Sequence, residues 1–311
     1  MTISAFKKYF KETLSDLYTE SESAFLSSLF IHKIVGFDHF QQRRFSEQEL
    51  LMEDENQLSS LVSELKTGRP YQQILGETEF YGMKFFVDEN VLIPRPETEE
   101  MLEIAIPEIQ QYISNVRYRD IRSEGLDSKW TEETRHASSA EKKKTTALKI
   151  LDIGTGSGVI PLVLKKHFPD AEVSSVDFSE KALSTAQKNA EYHQLNINFI
   201  HADYLGFEPN ECYDIIISNP PYIGIEEEVE IADSVKEFEP KMALFSPTSD
   251  ALVFYRKIAA DCKKHLNDHG LLFLEINQKL GPETLALYSD FSKAELLKDL
   301  SDNDRFIYGR K

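Results

Sequence analysis

The residues best suited to chemistry in this 311-residue chain are Asn219, Pro220, Pro221 and Tyr222. They follow Asp214-Ile215-Ile216-Ile217-Ser218, a β-branched run that reads as a buried strand. Two consecutive prolines forbid both helix and ladder continuation, so the backbone beyond Ser218 is stiff. The Asn219 side chain offers two donors and an acceptor, the complement of another planar amide or of an aminopyrimidine edge. Tyr222 supplies a flat aromatic face, and the Pro220 carbonyl stays free to accept. Together these groups suit a planar nitrogen nucleophile that is not basic. Taken alone, the tetrapeptide also suits an ordinary turn after a strand.

A second cluster sharpens the reading. Lys149-Ile150-Leu151-Asp152-Ile153 is an apolar strand that runs into Gly154-Thr155-Gly156-Ser157-Gly158, and apolar residues at helical spacing follow. Strand, glycine turn and helix open a doubly wound α/β unit with its ligand over the carboxyl ends of the strands. About twenty residues on, a further strand ends in Asp177, whose carboxylate can accept from both hydroxyls of a ribose. The dinucleotide fingerprint would need a third glycine where Val159 stands, which argues against a nicotinamide dehydrogenase. A ligand with ribose and no pyrophosphate fits better, and S-adenosylmethionine is such a ligand.

With these motifs the chain resembles the class I methyltransferases, and within them the protein-(glutamine-N5) methyltransferases that modify peptide chain release factors. The resemblance covers nearly the whole chain. It rests on Gly68-Arg69-Pro70-Tyr71-Gln72-Gln73-Ile74-Leu75-Gly76, on Glu79-Phe80-Tyr81-Gly82, and on Leu92-Ile93-Pro94-Arg95-Pro96-Glu97-Thr98-Glu99. Phe238-Glu239-Pro240 with Ala243-Leu244, and Asp302-Asn303-Asp304-Arg305-Phe306, also match. The tetrapeptide alone is shared with adenine-N6 DNA methyltransferases, and the Pro-Arg-Pro-Glu-Thr-Glu stretch narrows the choice. The resemblance implies N5-methylation of the glutamine in the Gly-Gly-Gln motif of class I release factors. An adenine-N6 nucleic-acid methyltransferase is the alternative, and a non-catalytic cofactor-binding regulator a second one.

Asn219, Pro220, Pro221 and Tyr222 are the expected catalytic set, with Asn219 also bordering the cofactor. Gly154, Thr155, Gly156, Ser157 and Gly158 are expected to line the methionine and ribose region. Asp177 should take the ribose hydroxyls, and Asp203 with Tyr204 should flank the adenine. Asp152 either reaches the methionine amino group or satisfies backbone donors at the strand end, and Glu275 is a weaker candidate. Arg95 either positions the substrate loop or pairs with a carboxylate. His201 reads as a satisfied, partly buried residue. The histidines and cysteines show no metal-ligand spacing, so no metal is expected.

Composition bounds the rest. Hydrophobic residues make up 41% and aromatic residues 11%, which marks a globular chain rather than a disordered one. The formal net charge of −18 opposes direct binding to nucleic acid and suits a partner with a basic face. No apolar run is long enough for a membrane span, no signal peptide is evident, and Cys212 and Cys262 read as free thiols. A cytoplasmic monomer is expected.

The elements that must position these residues fall into three parts: a helical substrate-recognition domain over 1–75, a linker hairpin over 76–93, and a methyltransferase domain over 94–311. Ser46 with Glu49 reads as a capping box opening a helix at Leu50. A helix is expected from Glu97 to about Tyr112, and the polar stretch 115–147 then reads as a surface insertion. Strands near 149–153, 172–177, 197–201, 213–218 and 270–276, with a C-terminal pair near 294–300 and 305–310, predict an α/β fold with a Rossmann-like mixed sheet of seven strands. Helices are expected near 158–167, 179–193 and 249–266.

Overall fold

The computed structural model describes residues 1–123, 147–224 and 233–311. The N-terminal part is helical: α1 (Ile3–Thr13), α2 (Glu20–Val35), α3 (His39–Arg44), α4 (Met52–Lys66) and α5 (Tyr71–Leu75). Phe6, Phe10, Phe30, Leu58 and Val62 close a core of their own among them. Capping boxes open α2, at Thr19 with Glu22, and α3, at Asp38 with Gln41. Ser46 and Glu49 do not form one. Leu51 precedes α4 without a side-chain cap. Residues 45–47 instead form a turn and 48–50 run antiparallel to the N-terminus, with Ser4 N–H donating to the Ser46 carbonyl and Leu50 N–H to that of Met1. Backbone pairing with residues far away in sequence has overridden a local capping preference.

The hairpin is β1 (Glu77–Phe80) and β2 (Met83–Phe86), joined by Tyr81 and Gly82, both at positive φ. That geometry matches the twist of the strands it joins. Its strands stop at Phe86, so the expected hairpin over 76–93 ends early and residues 87–95 run as an irregular segment. Phe80, Met83 and Phe85 pack into the core of the sheet domain.

Helix α6 spans Pro96–Ser123, well beyond Tyr112. The sequence past Tyr112 is polar but contains neither glycine nor proline before Gly125, so nothing stops the helix. The expected insertion over 115–147 therefore begins as helix, and residues 124–146 lie outside the described residues.

From Lys149 onward strands and helices alternate: β3 (Lys149–Ile153), α7 (Val159–His167), β4 (Glu172–Asp177), α8 (Glu180–His193), β5 (Asn198–His201) and β6 (Tyr213–Ser218). The short helices α9 (Asp233–Phe238) and α10 (Lys241–Leu244) precede α11 (Val253–His265), β7 (Leu266–Glu275), α12 (Gly281–Ala286), β8 (Lys293–Lys298) and β9 (Asp304–Arg310). The seven sheet strands follow the order β5-β4-β3-β6-β7-β9-β8. Pairing is parallel from β5 through β7, and β9 is antiparallel to both β7 and β8. Successive residues face opposite sides: Ile150, Ile215 and Ile217 join the core beneath α6 and α7, while Leu151, Ile153 and Ile216 join the core beneath α11 and α12. The loops at the carboxyl ends of β3, β4 and β6 then meet over one edge of the sheet, where such folds bind ligands. No helix among the described residues is long and apolar enough to cross a membrane.

Candidate active site

Three strand ends build one cavity of about 480 Å³. That size suits a cofactor with part of a substrate. From β3 come Gly154, Thr155, Gly156 and Ser157, from β4 Asp177, and from β6 Asn219, Pro220 and Pro221, all in the cavity wall. Asp203 and Tyr204, after β5, complete it, and Arg95 and Thr98 enter from the segment that opens α6.

The glycine loop is shaped from below. Gly154 and Gly158 both have φ +84° and Gly156 has φ +53°, a region that only glycine enters at low cost. A Cβ on Gly156 would meet open space, so its role is to leave room over the loop. Gly158 does not line the cavity. It precedes α7, and a Cβ there would stand 3.1 Å from that of Ala186 on α8, so it serves helix packing rather than the ligand. Asn189 of α8 is fully buried and locks the loop by donating to the Ser157 carbonyl at 2.8 Å. Its amide also exchanges hydrogen bonds with both backbone groups of Phe86.

Asp177 accepts from Gly156 N–H and Ser179 N–H, both at 2.8 Å, one on each oxygen. One further lone pair on each oxygen remains. Burial nevertheless pushes its carboxyl above the ordinary range, against those two bonds. Asp203 is exposed and caps Leu205 N–H. Tyr204 turns its hydroxyl away from the cavity, to Asp261 at 2.6 Å, and Lys257 holds that carboxylate from the other side. Only part of its ring is left to face a ligand.

Asp152 does not line the cavity. It is fully buried between strands, accepts from Ser175 with one oxygen, and has no hydrogen-bond partner for the other. Burial pushes its carboxyl up to about 7. His201 is exposed, with Nε2 against the Phe178 carbonyl at 3.0 Å.

At the end of β6, Asn219 Nδ2 donates to Thr98 Oγ1 at 3.1 Å. Tyr222 stands outside the cavity lining. Its hydroxyl donates to Glu275 Oε1 at 3.2 Å and its ring packs against the core beneath α11. The expected stacking face is thus turned inward, because a buried carboxylate anchors the hydroxyl. Arg95 pairs with Glu239 Oε1 at 2.5 Å, and the other oxygen of Glu239 accepts from Ile93 N–H at 3.0 Å. The buried Glu239 therefore ties the chain after the tetrapeptide to the segment before α6. Glu226-Glu227-Glu228 lies outside the described residues. Among the described residues no group of His, Cys, Asp or Glu is placed to hold a metal ion.

Sequence reasoning missed the roles of Thr98, Asn189 and Glu239. Their partners lie 121, 103 and 144 positions away, and only the fold brings them together.

The sheet order, the glycine loop after its first strand, the acidic end of the second and the Asn-Pro-Pro-Tyr corner after β6 define a class I methyltransferase. The family described as "Methyltransferase small domain" matches residues 138–237. A protein of Flavobacterium psychrophilum named "Release factor glutamine methyltransferase" is 38% identical over 99% of this chain and 98% of its own length. Proteins of the same name from Streptococcus pneumoniae and Bacteroides thetaiotaomicron are 38% and 32% identical, over 84% and 96% of this chain and 82% and 96% of theirs. This chain belongs to the release factor glutamine methyltransferase family.

Proposed function

We propose that this protein methylates the side-chain amide nitrogen of the glutamine in the Gly-Gly-Gln motif of class I peptide chain release factors, with S-adenosylmethionine as the methyl donor. The observation that carries this reading is the Asn219-Pro220-Pro221 wall. It places an amide and stiff backbone in the same cavity as the Gly154–Ser157 loop and Asp177. The chain around it is similar over almost its whole length to proteins named for that reaction.

The residues present fit the donor. Asp177 keeps lone pairs for two hydroxyls after its backbone bonds are counted, and the open space at Gly156 admits a ligand close to the backbone. Gly154, Thr155, Gly156 and Ser157 hold the methionine and ribose region, and Asp203 and the exposed part of Tyr204 border the base. When bound, S-adenosylmethionine supplies an electrophilic methyl on a sulfonium whose leaving group is neutral and needs no acid.

The difficulty lies in the amide, whose lone pair is delocalised. Asn219 Oδ1 and the Pro220 carbonyl accept from its two N–H bonds. Those bonds orient the nitrogen and strengthen as positive charge develops on it. Pro220 and Pro221 keep both acceptors in place without an ordering cost at the moment of reaction. The methylated nitrogen becomes acidic and releases one proton to solvent, so no strong base is required. Tyr222 supports the corner from behind through Glu275. The helices α1 to α5 form the recognition domain, the protein acts as a monomer, and its place is the cytoplasm, where release factors act.

The test is transfer of labelled methyl to purified, unmethylated release factor, with duplex DNA as a parallel substrate and mass mapping of the product. Label on the Gly-Gly-Gln glutamine, absent when that glutamine is replaced by alanine, is expected. Label on adenine would move the protein to nucleic-acid chemistry. Asn219→Ala should lower kcat by about a hundredfold or more while cofactor binding persists.

A further inference from the structure

We propose that Thr98 and Glu275 are positioning residues that fix which end of the Asn219 side-chain amide faces the cavity. The proposal rests on the reading of Asn219 as the acceptor of the substrate amide.

Thr98 Oγ1 lies 3.1 Å from Asn219 Nδ2 and 2.7 Å from Glu275 Oε2. A hydroxyl has a single proton to give, and an ionised carboxylate can only accept. The Thr98 proton is therefore committed to Glu275, and Thr98 can offer Asn219 nothing but a lone pair. Only the NH₂ end of the Asn219 amide can satisfy that lone pair. Its opposite end, Oδ1, is left for the cavity, which is the end that can accept N–H from a substrate amide. An amide rotated by half a turn would set two lone pairs against each other at Thr98 and present donors to a substrate that itself brings donors.

The residues sit where such a device has to sit. Glu275 ends β7, next to β6 in the sheet, with Ser218 opposite Leu274. Thr98 lies in the first turn of α6, where its N–H donates to the Arg95 carbonyl at 3.1 Å. Both are buried, Thr98 at 3% and Glu275 at 1% exposure, so water does not compete for these bonds. The second oxygen of Glu275 takes the Tyr222 hydroxyl at 3.2 Å. One carboxylate thus anchors both polar side chains of the tetrapeptide. Burying a carboxylate is unfavourable unless its lone pairs are engaged, and here each oxygen has a hydroxyl donor. Burial pushes the Glu275 carboxyl up to about 6, with Thr98, Arg305 and Tyr222 drawing it down and Glu97 adding to the rise. The two hydroxyls that donate to it favour its ionised form, which is the form the direction of the relay requires.

The experiment compares Thr98→Val, Thr98→Ser and Asn219→Ala in the full chain. It measures kcat and KM on unmethylated release factor and the S-adenosylmethionine Kd by calorimetry. Thr98→Val keeps the shape and removes the hydroxyl. It is expected to lower kcat by about tenfold to a hundredfold with the cofactor Kd within about twofold, and Thr98→Ser to restore kcat to within about threefold of the parent. If Thr98→Val fails to fold, judged by far-ultraviolet circular dichroism, Thr98→Ala carries the same expectation. An unchanged kcat in the valine variant beside an inactive Asn219→Ala would overturn the relay and leave the role of Asn219 standing. A serine variant as impaired as the valine one would also overturn it, because the methyl would then matter and not the hydroxyl. Full activity in Asn219→Ala would sink the underlying reading of Asn219 and the relay with it.

Discussion

Asp152 is a carboxylate enclosed in the sheet, with Ser175 on one oxygen and no hydrogen-bond partner on the other. Its folded pKa near 7 stands above the ordinary 3.8. The folded chain therefore holds this proton more tightly than the unfolded one. The contribution of the group to stability is fullest below about 4 and is lost as pH rises toward 7, beyond which it stays low. Asp152→Asn removes the ionisation, so its gain in melting temperature should grow between those limits and level off above them. Thermal melts of both proteins at pH 4.5, 6 and 8 check this, with a gain of roughly 5 °C or more expected at pH 8. A gain that is flat across the three would refute it. At this scale the sequence was legible where function is written contiguously. Asn219 to Pro221, Gly154 to Ser157 and Asp177 all reach one cavity. It was not legible where one side chain answers another across the fold, as Thr98 does to Glu275 over 177 positions.

The glycine loop shows that residues of one type in one motif do different things for the element they start. A Cβ at Gly156 would meet open space, whereas one at Gly158 would stand 3.1 Å from the Cβ of Ala186 on α8 and 3.3 Å from Leu162 Cδ1 on α7. An alanine at Gly156 meets backbone strain alone, about 1–2 kcal/mol. At Gly158 the same strain is joined by tight contacts to which α7 and α8 must yield, so Gly158→Ala should destabilise by a further ~1 kcal/mol. Urea unfolding midpoints of the two variants decide it, and equal midpoints would count against the packing role. The strands β3, β4 and β6 were legible to the residue because β-branched and apolar runs there end in glycine, aspartate or proline. The end of α6 was not, since the residues past Tyr112 are polar yet include no helix breaker before Gly125. Ser46 misled for a related reason: its neighbourhood pairs with the N-terminal residues, and no local pattern records that.

Across the whole molecule, 53 acidic residues against 35 lysines and arginines give a field that attracts a basic partner at a distance. Raising salt from about 50 to about 300 mM should lower kcat/KM on the release factor several-fold and leave kcat nearly unchanged. Steady-state kinetics at the two salts check it, and a salt-independent kcat/KM would show that encounter is not steered by charge. The order of strands was legible only in part, because alternation of strand and helix predicts parallel neighbours but not which strand lies outermost. That detail matters for how the protein is made. The strand bearing Glu275 has β6 on one side and β9, the last of the seven to be synthesised, on the other. While a nascent chain is still short of Asp304, β7 presents an open row of amides and carbonyls, the kind of edge that recruits other strands. That edge is covered only when Asp304–Arg310 has been made and pairs along it, so the strand that carries Glu275 gains its second neighbour only with the last strand of the chain.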